Sequence, residues 1–278
     1  MKLKVKGSIL MIDFHCHLLP GLDDGAESLE EGLGIARQLR EAGFTTVVAT
    51  PHVMEGRVML TPGEIEERVG DLNQALRHEG IDLNVLPGAE NHIFPAMAGY
   101  LQEGSLLSVG GKGKHLLLEL PAWEIPPYTE QVFFELKVAG VTPVLAHPER
   151  YPALGEAPGR LRQWLKLGVL LQIDLRSLSG HYGRQAKDWA KELAGSGLVH
   201  LLGSDAHSPS QRQHPYRDEL DKLQSLVGEA RFQAVTKDYP RRILLGQDLP
   251  SLTEDILRGD SSENRRKSWF RWFGKNAR

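Results

Sequence analysis

Residues 11–25 read MIDFHCHLLPGLDDG. An apolar run ends in two histidines that flank a lone cysteine, and two aspartates follow. In an extended strand, alternation points His15 and His17 one way and Cys16 the other. Such a segment is either a buried strand with polar cargo or the first part of a metal site. Which of the two depends on whether distant parts of the chain bring further ligands to the same place.

Working outward, short apolar runs recur along the chain: ILMIDF, TTVVAT, LNVLPG, HLLLEL, TPVLAH, VLLQID and VHLLGS. They are nearly continuous rather than alternating, which suits parallel strands covered on both faces. Between them lie amphipathic segments that predict helices: LEEGLGIARQLREAG, PGEIEERVGDLNQALRHEG, YTEQVFFELKVAG, GRLRQWLKLG and AKDWAKELAGSG. Several stop at glycine, the residue that most readily ends a helix in the left-handed conformation. Strand followed by helix or long loop favours a closed or nearly closed β/α barrel, with an open doubly wound sheet as the alternative. No linker divides the chain before about residue 250, so residues 1–259 are expected to form a single domain.

The composition narrows the function. The chain has 278 residues, 41% of them hydrophobic and 25% charged, with a net charge of −3, which gives no support to nucleic-acid binding. A single cysteine excludes internal disulfides and a cysteine-rich zinc knuckle, and points to a reducing, cytoplasmic setting. No apolar run approaches transmembrane length, and the N-terminal patch reaches acidic residues too early for a secretory signal. The C-terminus differs: in residues 260–278, Arg265, Arg266, Lys267, Arg271, Lys275 and Arg278 are interleaved with Trp269, Phe270, Trp272 and Phe273. This basic aromatic tail is a candidate for peripheral contact with anionic lipid.

In α/β proteins ligands gather at the carboxyl ends of the strands, and the unusual polar residues fall there. His15 and His17 follow the first run, His52 the second, Glu90 the third, and Glu119 ends the fourth. His147 follows the fifth, Asp205 and His207 the last, and Asp24 comes from the first loop. Singly, a histidine beside a strand is most often a satisfied core residue. Jointly, so many imidazoles and carboxylates at one barrel mouth would be costly to bury without cations. The nitrogen and oxygen donors suit borderline or hard divalent ions such as Mn²⁺, Zn²⁺ or Fe²⁺, and their number suits two or three of them. Such ions acidify bound water and clamp the oxygens of an in-line displacement, so phosphate-ester hydrolysis is the natural reaction class. Arg150, in HPER, and Arg212, in HSPSQR, are the candidate phosphate-binding forks. Cys16 as the nucleophile of a thiol phosphatase fails on context, because it lacks a glycine-rich loop and a nearby phosphate-cradling arginine.

The elements MIDFHCHLLPGLDDG, ATPH, GAE, LLLELP, LAHPER and GSDAH resemble, in order, those of the polymerase and histidinol phosphatase (PHP) superfamily. More closely, they resemble bacterial manganese-dependent protein-tyrosine phosphatases of capsule and exopolysaccharide operons. The resemblance spans residues 11–215, and KDYPRRILLGQ is similar to the family's closing segment. It implies a distorted (β/α)7 barrel with a trinuclear centre. His15, His17, Glu90 and Asp205 would hold the first metal. Glu90 would bridge to a second completed by Glu119 and His147, and Asp24, His52 and His207 would hold the third. In related sugar-phosphate and histidinol-phosphate phosphatases, histidines replace Asp24 and Glu119, so the acidic residues favour the tyrosine-phosphatase branch over an enzyme of small phosphomonoesters. The implied partner is a phosphotyrosine protein, a membrane-anchored bacterial tyrosine autokinase that controls polysaccharide export. The sequence departs from the family at NHIFPAM, after Glu90, and at SPSQRQHP. His92 in the former is expected near the site but outside its ligand set.

Overall fold

The computed structural model describes residues 11–209 and 216–250. Arg212 and the tail 260–278 lie outside the described residues. Strands and helices alternate. The first half contains β1 (Met11–Cys16), α1 (Leu29–Ala42), β2 (Phe44–Ala49), β3 (His52–Val53), α2 (Pro62–His78), β4 (Asn84–Pro87), β5 (Glu90–His92) and α3 (Met97–Gln102). Then come β6 (His115–Glu119), α4 (Thr129–Val138), β7 (Thr142–Ala146), α5 (Pro152–Glu156), α6 (Pro158–Lys166) and β8 (Leu170–Asp174). The chain continues through α7 (Gly183–Gly195), β9 (Leu201–Gly203), α8 (Arg217–Val227), α9 (Glu229–Gln233) and α10 (Tyr239–Leu244).

Every apolar run named above contains a strand, and two short strands, β3 and β5, were not anticipated. The strands are all parallel and fall into two sheets, β1-β2-β4 and β3-β5-β6-β7-β8-β9. β3 resumes the path of β2 after Thr50 and Pro51, and β5 resumes that of β4 after Gly88 and Ala89. Proline has no N–H to give a ladder, so pairing breaks there. The Glu90 amide donates to the Pro51 carbonyl and carries the hydrogen bonding across the break. On the other flank, Asp205 N–H donates to the His15 carbonyl at 2.9 Å, and His17 N–H to Ala206 at 3.0 Å. The result is a mixed α/β architecture whose parallel sheet curves into a half-barrel.

Two apolar layers follow from the alternation of side chains along the strands. Val47, Ala49, Val85, Leu116, Leu118, Leu145, Leu171, Ile173 and Leu202 pack outward against helices, beside residues such as Leu39, Leu72, Phe133 and Trp164. Ile12, Phe14, Val48, Leu117, Val144, Ala146, Leu170 and Leu201 face inward and meet Ile243 and Leu244 of α10. Helix starts are set locally. Ser28 caps α1 by accepting from the Glu31 amide, and Thr61 with Glu64 forms a reciprocal capping box on α2.

β1 carries the feature on which the site depends. Asp13 pairs with Val47 and Cys16 with Ala49, so β1 has one more residue than β2 over this interval. The bulge changes which residues face inward, from Ile12 and Phe14 below it to His15 and His17 above it, while Cys16 turns outward into the helix-facing layer. The buried Asp13 carboxylate holds the irregularity. Its Oδ1 accepts from the His15 amide at 3.2 Å and the Ser204 amide at 2.9 Å. Burial pushes its pKa up to about 6 against the pull of those hydrogen bonds.

Candidate metal centre

The inward rows that build the apolar floor continue upward into polar residues: 48, 50, 52 on β2–β3, 86, 88, 90 on β4–β5, 117, 119 on β6, 170, 172, 174 on β8, and 201, 203, 205, 207 through β9. Two rows need special backbone to arrive. His147 (φ 32°) and Asp205 (φ 48°) both sit in the left-handed region. That conformation is uncommon for residues with a side chain and concentrates at functional sites. Gly203 clears the way beneath them, because a Cβ there would lie 2.4 Å from His15 Cβ and 2.6 Å from Gln172 Nε2.

The imidazoles of His15, on β1, and of His17, just after it, are aimed by partners that sequence reading missed. Gln172 donates its amide nitrogen to the Ile173 carbonyl at 2.7 Å, which leaves Oε1 to accept from His15 Nδ1 at 2.9 Å. Asp23 Oδ2 accepts from His17 Nδ1 at 2.7 Å and from the His52 amide at 2.9 Å. Both rings are thereby fixed with Nε2 turned to the same point, and the two Nε2 atoms lie 3.0 Å apart. Asp23 adjoins Asp24 in the sequence, and only the loop's path decides which of the two touches His17. Gln172 is a buried glutamine inside a strand, a signal that was available in VLLQID.

Carboxylates complete the convergence. Glu90 Oε2 lies 3.1 Å from His15 Nε2, 3.3 Å from His17 Nε2 and 3.1 Å from His52 Nδ1. Asp205 Oδ1 lies 3.3 Å and 3.2 Å from the same Nε2 atoms of His15 and His17. Both oxygens are fully buried, yet neither has a hydrogen-bond partner among the described residues. Among the described residues, three groups have donor atoms within 4.8 Å of one another: His15, His17, Glu90 and Asp205; His17, Asp24, His52 and His207; and His52, Glu90 and Glu119. His147 joins by its Nε2, 3.0 Å from Glu90 Oε1 and 3.9 Å from Glu119 Oε1. All nine residues read from the strand ends are therefore brought together. The grouping differs from the expectation in that His17 reaches two clusters and His52 stands beside Glu119. His92 is half-buried, two residues past Glu90 on β5 and paired in register with Glu119 of β6.

The electrostatics test whether these residues fit a cation. Burial alone would lower the His15 pKa, but Glu90 and Asp205 outweigh it and lift it to about 9. His17 is also raised, against burial, by Asp205 and Asp23. Burial and then the Glu90 charge push Glu119 up to about 8. The pocket holds more negative charge than its own groups neutralise, and it draws protons to compensate. Divalent ions with nitrogen and oxygen ligands supply the same compensation and give the orphaned oxygens partners. The residues fit such ions.

Arg150, from the turn after β7, reaches over this cluster. Its Nη1 pairs with Asp205 Oδ2 and lies 3.7 Å from Asp174 Oδ2. Cys16 is fully buried, its Sγ 3.7 Å from the Ala206 carbonyl, and burial first and Asp13 second raise its thiol pKa. It faces away from the cluster and has the environment of an inert thiol.

The comparisons agree with this geometry. The family model described as capsular polysaccharide synthesis, CpsB/CapC, matches residues 11–245. The tyrosine-protein phosphatase YwqE of Bacillus subtilis is 33% identical over 263 residues, covering 95% of this chain and 100% of that protein. The tyrosine-protein phosphatase CpsB of Streptococcus pneumoniae is 25% identical over 242 residues, covering 85% and 99%. A chain from the crystal structures of YwqE and CpsB, described as unique metal-dependent tyrosine phosphatases, superposes with a TM-score of 0.79 at 34% identity, covering 86% of this chain and 96% of its own. By the extent of these matches, the chain belongs to the CpsB/CapC family of capsular polysaccharide synthesis.

Proposed function

We infer that this chain is a metal-dependent protein-tyrosine phosphatase. The observation that carries the reading is the convergence of the His15 and His17 Nε2 atoms with oxygens of Glu90 and Asp205 that lack a hydrogen-bond partner among the described residues, beneath an arginine. Relatives named as tyrosine phosphatases support it over nearly the full length of the chain.

His15, His17, Asp24, His52, Glu90, Glu119, His147, Asp205 and His207 would hold two or three ions, Mn²⁺ being the expected metal. Ions held there would acidify water to a nucleophile at neutral pH and offset charge on the phosphoryl oxygens. The protein's own part is geometric. Gln172 and Asp23 hold the two imidazoles in one tautomer. Arg150, with Arg212, would clamp the phosphoryl group as charge develops in the transition state. The leaving phenol has a pKa near 10, so it departs with less acid assistance than an alkoxide.

The wider reading rests on the family resemblance. The fold is a distorted (β/α)7 barrel of the PHP type, in which β2 with β3 and β4 with β5 each count once; the domain boundary expected at residue 259 lies outside the described residues. The substrate is a tyrosine-phosphorylated protein, a membrane-anchored kinase of polysaccharide synthesis, and the setting is cytoplasmic. Among the described residues no helix is long and apolar enough to cross a membrane. Metal content per chain, with activity before chelation, after it and after Mn²⁺ is restored, tests the core of the reading. Hydrolysis of a phosphotyrosine peptide should depend on the metal and exceed that of alkyl phosphates. Preference for small alkyl phosphates would move the chain to the histidinol-phosphate type of enzyme.

A further inference from the structure

Arg150 is held on two sides. One edge of the guanidinium, at Nη1, faces Asp205 and Asp174. The Arg150 Cζ lies over the ring of Tyr182, 4.3 Å from the ring centroid. Nη2 and Nε make no hydrogen bond among the described residues, and the side chain is 28% exposed. Tyr182 stands at the start of α7, in the connection from β8, so it reaches Arg150 from a different strand end. Its hydroxyl faces the fully buried Asp174 carboxylate, and burial with that negative neighbour keeps it a neutral phenol.

We propose that Tyr182 is a positioning residue: its ring fixes the plane of the Arg150 guanidinium so that the free edge is presented to the phosphoryl group. This rests on the phosphatase reading above. The physical reason is the length of the side chain. A long arginine loses rotamer freedom on binding an anion, and one already stacked and paired has less to lose. Stacking on an aromatic face suits a guanidinium, whose charge is attracted by the ring quadrupole. The carboxylates fix only one end of the fork, and the ring supplies the remaining constraint, its tilt.

The test uses the full chain loaded with Mn²⁺, orthophosphate as the probe, and calorimetry for affinity, beside kcat and KM on a phosphotyrosine peptide. Tyr182→Leu should weaken orthophosphate binding about tenfold and lower kcat/KM in parallel. Tyr182→Phe keeps the ring and should stay within about threefold of wild type. In an Arg150→Ala background, Tyr182→Leu should add nothing, because its effect passes through the arginine. Tyr182→Met, whose unbranched side chain adapts better to the gap the ring leaves, replaces the leucine variant if that one melts early. Wild-type orthophosphate affinity in the ring-free variants, or an equal loss with and without Arg150, would overturn the proposal. A wild-type enzyme inactive on phosphotyrosine would instead overturn the functional reading, while the orthophosphate cycle would still report on Tyr182.

Discussion

The interior of the sheet has a floor and a rim, and the same strands build both. β6 begins with His115 and ends with Glu119. Both are largely buried, but their environments differ. His115 lies at the floor end, its Nδ1 without a hydrogen-bond partner among the described residues, and burial lowers its pKa to about 4. His200, just before β9, accepts the Leu171 amide at Nδ1, and burial lowers it to about 3. These are neutral core histidines. At the rim, His15 is equally buried yet raised, because carboxylates face it. Residue type alone therefore does not mark a site. Position at the carboxyl end of a parallel strand, together with opposite charge from other strands, does.

The largest expected effect separates two neighbours on β1. His15→Ala should lower phosphatase activity by about 10³-fold or more and reduce bound metal, as read by turnover and by elemental analysis. Cys16→Ser, which changes an outward residue one position away, should keep activity within about threefold. Comparable losses in the two would erase the distinction between the inward and outward rows. Next comes the floor itself. Phe14→Ala opens a cavity in the inner apolar layer and should cost about 3–5 kcal/mol in denaturant unfolding of the metal-free protein. A loss confined to metal affinity would mean that floor and rim are not separate layers.

The partners behind the ligands should give a smaller effect. Gln172→Ala or Asp23→Ala should weaken metal binding by about 10–100-fold while leaving a measurable maximal rate at saturating Mn²⁺. The smallest effect is in pH dependence, where floor and rim should act with opposite sign. For His115 and His200 the folded pKa lies below the unfolded value, so their contribution is present above about pH 6.5 and is lost as pH falls toward 4 and 3. For His15 and Glu119 the folded pKa is raised. Their contribution is present at low pH and is lost as pH rises through about 9 and about 8. Melting temperature of the chelated protein should therefore fall at both extremes, and added Mn²⁺ should remove the alkaline decline by taking the place of the protons.

Much of this was legible in the chain. The apolar runs located strands, and alternation placed His15 with His17 and turned Cys16 away. Polar residues just past the runs located the rim. Three things were less accessible. The breaks at Pro51 and Gly88 split two strands and shift pairing, a tertiary outcome of local backbone. Asp23 and Asp24 are chemically identical neighbours, so only the path of the loop sends Asp23 to His17 and leaves Asp24 exposed. The partners of Arg150 come from the end of β8, from the residues after β9 and from the start of α7, and no spacing in sequence connects Tyr182 to it.

The extra residue between Asp13 and Cys16 has a consequence for how the protein can change over generations. Below it, β1 answers to packing; above it, the strand answers to chemistry. Because the irregularity resets the parity between the two halves, the lower half can be repacked without re-aiming the upper, provided the count between them is kept. Point substitutions in Ile12 or Phe14 are thus a matter of degree, whereas deleting a single codon across this junction would turn both imidazoles out of the pocket at once.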